Sequence, residues 1–217
     1  MDPLLDFFTR HVISAYTTGD RTRTGPKPNK TTTTADDYEE NDFHFGITDN
    51  LLSLISRIAT LHALPRPESG LTPATTISAA LAIWHDLQNW RPPTMIPSRE
   101  FDAIYGAYSS ALFIWLYLLI HPDNVTDEKV QKMVREGMGD LDAVRGEGLG
   151  YLLIPLFIHG LAAVEEGDRG VVEEGFKRVE RVAGLAEVRR YRDVVRASWR
   201  SYARGFKRSW DVGYGAG

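Results

Sequence analysis

Apolar residues recur three and four positions apart along most of the chain, which is the spacing of one face of an α-helix. Between residues 43 and 217 this pattern predicts about seven helices, and proline, glycine or aspartate marks most of the breaks between them. We find no convincing segment with the alternating apolar and polar pattern of a half-buried strand. The predicted fold class is all-α: a single irregular helical domain built around a buried central helix.

The predicted central helix lies in the segment Gly148–Gly167, which is apolar at nearly every position from Leu149 to Val164. A helix that is apolar on all sides is buried in a protein core or spans a membrane. This one is shorter than the roughly 20 residues that a membrane span requires, so we expect it in a protein core. Pro155 is expected to kink it, because proline lacks the backbone N–H and clashes with the preceding turn.

The helices before it show apolar stripes on one side. The first has its stripe at Leu51, Leu54, Ile55, Ile58 and Leu61. The second begins at Thr72 and Pro73, a capping hydroxyl followed by proline at the first helical position. Its predicted buried stripe is Ile77, Leu81, Trp84 and Leu87. The third runs from about Ser98 to Ile120, and we expect its second half to be enclosed because it is apolar at every position from Ala111.

Thr126 is the expected cap of the helix before the central segment. Two further helices follow the central one, and Asp168 is the expected cap of the first of them. The helix that starts at Asp168 is predicted to bury Val172, Phe176, Val179 and Val182. The last helix is predicted to bury Val188, Tyr191, Val195, Trp199, Tyr202 and Phe206.

The N-terminal part of the chain has a different pattern. Residues 1–18 are predicted to hold a short amphipathic helix with apolar positions at Leu4, Leu5, Phe8, Val12 and Tyr16. Residues 19–42 contain almost no large apolar side chain, and a basic half is followed by an acidic half. Such a segment buries too little apolar surface to offset its ordering entropy, so it is predicted to be a flexible linker. Residues 43–217 are the predicted helical domain.

Composition narrows the chemistry. The 217 residues include no cysteine, which excludes disulfides, thiolate zinc sites, iron–sulfur clusters and a cysteine nucleophile. The six histidines form no i,i+4 pair with a carboxylate neighbour, so we expect no metal site. A formal net charge of −4 gives no general attraction to nucleic acid. We see no signal peptide at the N-terminus.

Several short segments follow one another in an order and at spacings that together indicate a known family. They are Phe45–Ile55 with Arg57–Ala59, Leu87–Trp90 before a proline pair, Tyr105–Leu116, Leu152–Gly160 followed by Asp168–Arg169, and Trp199. In this combination the chain resembles the C-terminal regulatory domain of fungal zinc-cluster transcription factors, in the branch that includes the sterol-responsive regulators. The resemblance covers roughly Phe43 to Trp199. It departs from the family pattern at Ile154, where tryptophan is usual, and the six-cysteine DNA-binding module is absent.

The resemblance implies a regulatory and dimerising domain, not an enzyme, with no catalytic residue and no cofactor. It implies a location in the nucleus, or otherwise in the cytoplasm, without a membrane. The implied partners are a second copy of the chain and the transcription machinery or co-regulators. Because the six-cysteine module is absent, we expect no sequence-specific DNA binding by this chain, which is either a fragment of a longer factor or a stand-alone relative that lost the module. Sterol-responsive members bind a hydrophobic ligand between helices, and a sterol-like ligand would here shift the population of helix packings. The candidate pocket lining, taken from the two most apolar helices, is Tyr105, Trp115, Tyr151, Phe157 and His159.

His159 is the only imidazole inside the central apolar run, and two interpretations apply to it. In one, the ring orients a hydroxyl group of a ligand. In the other, which we favour, it is a core histidine bonded to a nearby carbonyl.

Arginine recurs every fourth residue on the last helix, which keeps the side chains on one slowly winding ridge. The members of this arginine ridge are Arg192, Arg196, Arg200, Arg204 and Arg208. One interpretation is a surface for phosphate or for an acidic partner. We favour a solvated helix face opposite the apolar stripe, which is the more common arrangement.

Two other functions stay open at this point. A protein–protein scaffold with a basic surface on its last helix would need no pocket. A magnesium-dependent helical enzyme of isoprenoid type is suggested by the acidic run Asp36–Glu40. We favour an acidic linker segment there, because carboxylates outside a rigid scaffold make a poor magnesium site.

Overall fold

The computed structural model describes residues 49–64, 72–91, 99–183 and 186–205. Within these ranges the chain forms helices and no strand, in the order α1 (Asp49–His62), α2 (Ala74–Asn89), α3 (Arg99–Ile120), α4 (Glu128–Ala143), α5 (Leu153–Ala162), α6 (Glu166–Ala183) and α7 (Ala186–Ala203). A 3₁₀-helix, Gly146–Leu152, leads directly into α5. The all-α prediction is confirmed. The predicted N-terminal helix (residues 1–18) and linker (19–42) lie outside the described residues.

Helix α5 is the buried centre of the fold. All ten of its residues are buried, and it contacts α3, α4, α6 and α7 as well as the 3₁₀-helix. The expected kink at Pro155 is wrong, because α5 begins at Leu153 and the proline lies in its first turn. Backbone N–H groups in a first turn have no partner within the helix, so proline is tolerated there. The change of pitch occurs instead where the 3₁₀-helix meets α5.

Helix α3 is the second large element of the core. By length and composition it is long and apolar enough to cross a membrane, but 67% of its most apolar window is buried inside the protein. It packs against α1, α2, α4 and α5. The prediction that its second half is enclosed is confirmed for most positions, while Phe113, Tyr117 and Ile120 are half-buried.

Helices α3, α4 and α5 approach one another closely at Gly137. A Cβ atom there would meet Nε2 of His159 on α5 and would lie 2.6 Å from Oγ of Ser110 on α3. Gly160 on α5 does the same for α7, since its Cβ would lie 2.9 Å from Cγ1 of Val195. These contacts need a residue without a side chain, and they set how near the helices lie.

Two predicted stripes are partly wrong. On α2 the buried residues are Thr76, Ala80, Ile83 and Leu87, whereas Ile77 and Leu81 are 36% and 60% exposed. The helix is therefore rotated relative to the prediction, with the smaller side chains of Thr76 and Ala80 toward the core. On α6, Val182 is 53% exposed, although Val172, Phe176 and Val179 are buried as predicted. The α1 stripe is confirmed at all five positions: Leu51, Leu54, Ile55, Ile58 and Leu61.

None of the three residues predicted to cap a helix does so in the structure. Thr72 donates its hydroxyl to the carbonyl of Ile120, at 3.2 Å, and so joins the start of α2 to the end of α3. Asp127, not Thr126, caps α4 by accepting from the backbone N–H of Lys129 at 2.8 Å. Asp168 lies inside the first turn of α6, which begins two residues earlier. Neighbouring capping residues look alike in a sequence, and the backbone path decides which one is used.

Gly137→Ala is expected to lower the free energy of unfolding by about 1–3 kcal/mol, because the added methyl overpacks a site where a fully buried ring cannot move aside. Urea denaturation measures this change. The matched control is Gly139→Ala on the same helix, where nothing lies within 4 Å of the added Cβ. That control should be neutral or stabilising by up to about 1 kcal/mol from helix propensity. Equal destabilisation by the two substitutions would contradict the close approach.

Candidate functional site

The candidate site is the C-terminal end of α5. A helix leaves its last four carbonyls without a donor inside the helix. Water satisfies such groups on a surface helix, but buried carbonyls need donors from the protein. At the end of α5, the four consecutive carbonyls of residues 160–163 each accept a hydrogen bond from a side chain of a surrounding helix.

The four donors come from three helices. On α7, Nε1 of Trp199 donates to the carbonyl of Gly160 at 2.7 Å, and the hydroxyl of Tyr202 donates to that of Leu161 at 3.0 Å. On α4, Nε2 of Gln131 donates to the carbonyls of Ala162 and Val125 at 2.9 and 2.6 Å. On α6, Nε of Arg169 donates to the carbonyl of Ala163 at 3.2 Å. We call Gln131, Arg169, Trp199 and Tyr202 the α5 cap.

The α5 cap gathers residues that lie far apart in the sequence. The guanidinium of Arg169 lies over the ring of Trp199, 5.5 Å from its centroid, so two of the donors also hold each other. Gly160, Arg169 and Trp199 are among the residues that carry the family resemblance. Their role in the structure is to fix α5 against α6 and α7.

Asp168, the other half of the Asp168–Arg169 pair, lies beside the cap. Its Oδ2 is buried and has no hydrogen-bond partner among the described residues. Burial raises the pKa of this carboxyl, an effect that the positive charge of Arg135 opposes and the negative charge of Glu165 adds to.

His159 lies in α5, one residue before the capped carbonyls. Its Nδ1 is 2.8 Å from the carbonyl oxygen of Pro155, which can only accept, so we assign the ring proton to Nδ1. Its Nε2 is then an acceptor, 3.1 Å from the hydroxyl of Ser110, whose single proton is shared between this nitrogen and the carbonyls of Gly106 and Ala107. Burial lowers the pKa of the imidazole to about 4, although the bond to Pro155 opposes this shift. The ring is therefore neutral at pH 7 and has the partners of a core histidine.

The other four candidate pocket residues contact different neighbours. Tyr105 packs against Trp90, with ring centroids 5.4 Å apart, and burial raises the pKa of its hydroxyl. Nε1 of Trp115 donates to Nδ1 of His62 on α1 at 3.2 Å. The remaining two candidates are Phe157, which makes a ring contact, and Tyr151, whose backbone carbonyl accepts a hydrogen bond.

Phe157 packs edge-on against Tyr191 of α7, with ring centroids 5.4 Å apart. Tyr151 is half-buried in the 3₁₀-helix, and its carbonyl accepts from the hydroxyl of Tyr108 at 2.8 Å. The candidate residues thus have partners at the end of α2 and on α1, α3 and α7. As the lining of one ligand pocket they stay a prediction.

The first half of the arginine ridge binds α6. Nε of Arg192 donates to Oε2 of Glu173 at 2.7 Å, and Nε of Arg196 donates to Oε1 of the same carboxylate at 2.5 Å. The side chains of Glu173 and Arg192 are only 19% and 17% exposed. Burial acts to raise the pKa of Glu173, but the bonds from Arg196 and Arg192 outweigh it and lower the pKa. Nε of Arg189, an exposed side chain on α7, donates to Oε1 of Glu180 on α6.

The second half of the ridge differs. Arg200 and Arg204 are exposed, and Arg208 lies outside the described residues. A solvated face, the interpretation that we favoured, is therefore wrong for Arg192, which is an interhelical ion-pair residue. For the exposed arginines the choice between a solvated face and a partner surface stays a prediction.

Sequence reasoning missed three residues of these arrangements: Gln131, Ser110 and Glu173. Gln131 lies three positions before Val134 and therefore on the buried stripe of α4. A polar residue on an otherwise apolar stripe could have been recognised in the sequence as a buried hydrogen-bonding group. Glu173 and Glu180 are seven residues apart and share one helix face, which matches the arginine ridge. For Ser110 the sequence offered no signal, because its partner is chosen by the packing of α3 against α5.

The described residues do not indicate a metal-binding site. They contain no group of three or more histidine, aspartate or glutamate residues that could hold a metal ion. The acidic run Asp36–Glu40, which suggested a magnesium site, lies outside the described residues.

Comparison with known families identifies a relationship over almost the whole chain. A family model described as a fungal specific transcription factor domain matches residues 2–212. The match includes the predicted N-terminal helix as well as α1–α7. No curated protein matches the chain, and no solved structure matches it.

Trp199→Phe is expected to lower the free energy of unfolding by about 1–3 kcal/mol, because it removes the donor to a buried carbonyl and weakens the contact with Arg169. Urea denaturation is the measurement. The control is Trp84→Phe on α2, a half-buried tryptophan whose ring packs edge-on against Phe113. A loss no larger for Trp199→Phe than for Trp84→Phe would mean that the α5 cap contributes little.

The free energy of unfolding is also expected to fall as the pH is lowered from 7 to 5. The pKa of His159 is about 4 in the folded protein and 6.5 in its ordinary state. Between these values the unfolded chain binds more protons, so stability rises with pH and is lost as the pH falls. From pH 7 down to pH 5 the contribution of His159 is about 2 kcal/mol.

Urea denaturation at the two pH values tests this with His159→Gln, which keeps an amide for hydrogen bonding but cannot titrate. The variant should lose most of this pH dependence, whatever its stability at pH 7. His85→Gln, at a histidine whose side chain is 76% exposed, should retain it. An unchanged pH dependence in His159→Gln would show that the buried imidazole is not its source.

Proposed function

The chain belongs to the fungal specific transcription factor domain family, and we propose that it is the regulatory domain of a transcription regulator that acts in the nucleus. A transcription-regulatory role follows from the family. The proposal adds that the domain responds to a small hydrophobic ligand, forms a homodimer and contacts the transcription machinery or co-regulators. It assigns no catalysis, no membrane association and no sequence-specific DNA binding to this chain.

The observation that carries the proposal is the α5 cap. Residues that mark the family resemblance, such as Gly160, Arg169 and Trp199, form packing contacts and hydrogen bonds to backbone carbonyls. Such a use of these residues favours a domain that holds and changes a helix arrangement over one that catalyses a reaction.

The cap also supports a mechanism of regulation. Hydrogen bonds to its final carbonyls connect α5 with α4, α6 and α7. A ligand that favours a slightly displaced α5 would therefore also favour displaced positions of three outer helices. The ligand can shift this equilibrium only by the difference between its affinities for the two packings.

The Ser110–His159 pair supports a ligand with one polar end. It places a neutral hydroxyl and a neutral imidazole within the apolar packing of α3 against α5. Pockets for hydrophobic ligands combine apolar walls with a few such polar groups, which fix the orientation of the ligand. The proposed wall residues are Tyr105, Trp115, Tyr151 and Phe157. The proposed polar contact is His159, whose Nε2 would exchange its contact with the hydroxyl of Ser110 for one with the ligand.

Native mass spectrometry of the purified full chain, followed by thermal unfolding with a panel of sterols and fatty acids, tests the proposal. We expect a co-purified lipid mass or a saturable rise in Tm, because a ligand that binds only the folded state stabilises it. At a ligand concentration of 100 times Kd the gain is about 2.7 kcal/mol. The dimer is read from the same mass spectrum.

Two variants and a control localise the effect. Phe157→Leu and His159→Gln should reduce the ligand-dependent rise in Tm, whereas Val182→Ala, at an exposed position on α6, should leave it unchanged. No lipid mass and no rise with any ligand in the panel would overturn ligand sensing. A clean dimer in that case would support the protein–protein scaffold.

A further inference from the structure

An apolar face crosses α2 and α3. On α2, Ile77, Leu81 and Trp84 lie at positions i, i+4 and i+7, which is one stripe of a helix. Leu81 is 60% exposed, Ile77 36% exposed and Trp84 half-buried. On α3 the half-buried residues Phe113, Tyr117 and Ile120 have the same spacing.

The two stripes adjoin. The rings of Trp84 and Phe113 meet edge-on with centroids 4.7 Å apart, and the hydroxyl of Thr72 bonds to the carbonyl of Ile120. The two helices are therefore antiparallel, with the start of α2 beside the end of α3. We call these six residues the α2–α3 face: Ile77, Leu81, Trp84, Phe113, Tyr117 and Ile120. Ile77 and Leu81 are its exposed part, and the other four are half-buried and also pack against the core.

An exposed apolar surface of this kind indicates a contact site for another helix or protein. Single exposed apolar side chains are normal on proteins, but contiguous apolar patches mark contact sites. The sequence of α2 led us to expect Ile77, Leu81 and Trp84 inside the protein. The core faces the other side of this helix, through Ala80, Ile83 and Leu87.

The chain itself offers a segment with the complementary pattern. Residues 3–18 are predicted to form an amphipathic helix with apolar positions at Leu4, Leu5, Phe8, Val12 and Tyr16. A helix of this length is only marginally stable alone in water, so it needs a surface against which to bury its apolar side. The family model matches from residue 2 onward, which groups this segment with the helical domain.

The segment is within reach of the α2–α3 face. Helix α1 begins at Asp49 and packs against both α2 and α3. A flexible chain as long as the predicted linker, residues 19–42, would have a root-mean-square span of roughly 27 Å. Helix α2, with 16 residues, is about 24 Å long. Tethering over such distances gives an effective concentration of the order of millimolar, so a weak apolar contact is sufficient for docking.

We propose that residues 3–18 dock in cis, as an amphipathic helix, on the α2–α3 face. The apolar side of the segment covers Ile77 and Leu81 and extends toward the half-buried aromatic residues of α3. The inference is independent of the ligand assigned to the core.

Crosslinking in the full chain is a clean test, because the natural sequence contains no cysteine. Leu81→Cys is combined in turn with Leu4→Cys, Phe8→Cys and Val12→Cys, and each pair is treated with a short bifunctional maleimide. Using three positions allows for either direction of the docked helix. We expect an intramolecular crosslink in at least one pair, seen as a monomer mass that carries one doubly reacted linker.

Matched controls use the opposite sides of both elements. Arg10→Cys lies on the polar side of the predicted helix, and its pair with Leu81→Cys should crosslink at least fivefold less. Val182→Cys is exposed on α6, so its pair with Phe8→Cys should also stay low. A crosslinked dimer as the main product would show that a second copy occupies the face and would overturn the proposal. Yields equal to those of the controls would overturn it as well.

Hydrogen–deuterium exchange provides a second readout without crosslinking. Leu81→Arg places a charge on the exposed side of α2 and leaves the core side chains in place. We expect residues 3–18 to be protected in the natural protein and to exchange at least fivefold faster in this variant. Val182→Arg should leave their exchange unchanged. A segment that exchanges equally fast in all three proteins would overturn the docking.

Discussion

The fold depends on the burial of both the sides and the end of α5. A helix without a solvated face cannot leave its final carbonyls to water, and each unsatisfied carbonyl would cost about 1–3 kcal/mol. The carbonyls of residues 160–163 instead accept from Gln131, Arg169, Trp199 and Tyr202. This requirement fixes the positions of α4, α6 and α7 around one helix end.

The same helix is held along its length by shape. Gly137 lets α4 approach the ring of His159, and Gly160 lets α7 approach α5 through Val195. His159 in turn bonds to Ser110 on α3. The hydrogen bonds at the end of α5 and the close approaches at Gly137 and Gly160 therefore hold α5 against the same two helices, α4 and α7. Helices α6 and α7 are also joined to each other, because Glu173 accepts charge-assisted hydrogen bonds from Arg192 and Arg196.

Much of the fold followed from apolar periodicity, and so did part of the site. The α1 stripe and the enclosed half of α3 were predictable because large apolar residues on one side, or on all sides, have only one low-energy placement. Arg169 and Trp199 were recognised as marks of a family, but their common target was not. The predicted stripe of α2 is correct at Leu87 but wrong at Ile77 and Leu81. Ile77 and Leu81 are as apolar as the residues that the core accepts, so periodicity alone could not rank the two sides.

The sequence by itself determined the all-α class, the central position of α5 and the likeness to a family of transcription regulators, because apolar spacing and residue order are local and linear properties. Only the tertiary structure decided which carbonyls Trp199, Tyr202, Gln131 and Arg169 satisfy, and that Arg192 and Arg196 share Glu173. It also decided which side of α2 faces outward. These outcomes depend on how helices far apart in the chain are packed together, and a hydrogen-bond donor in the sequence does not specify its acceptor.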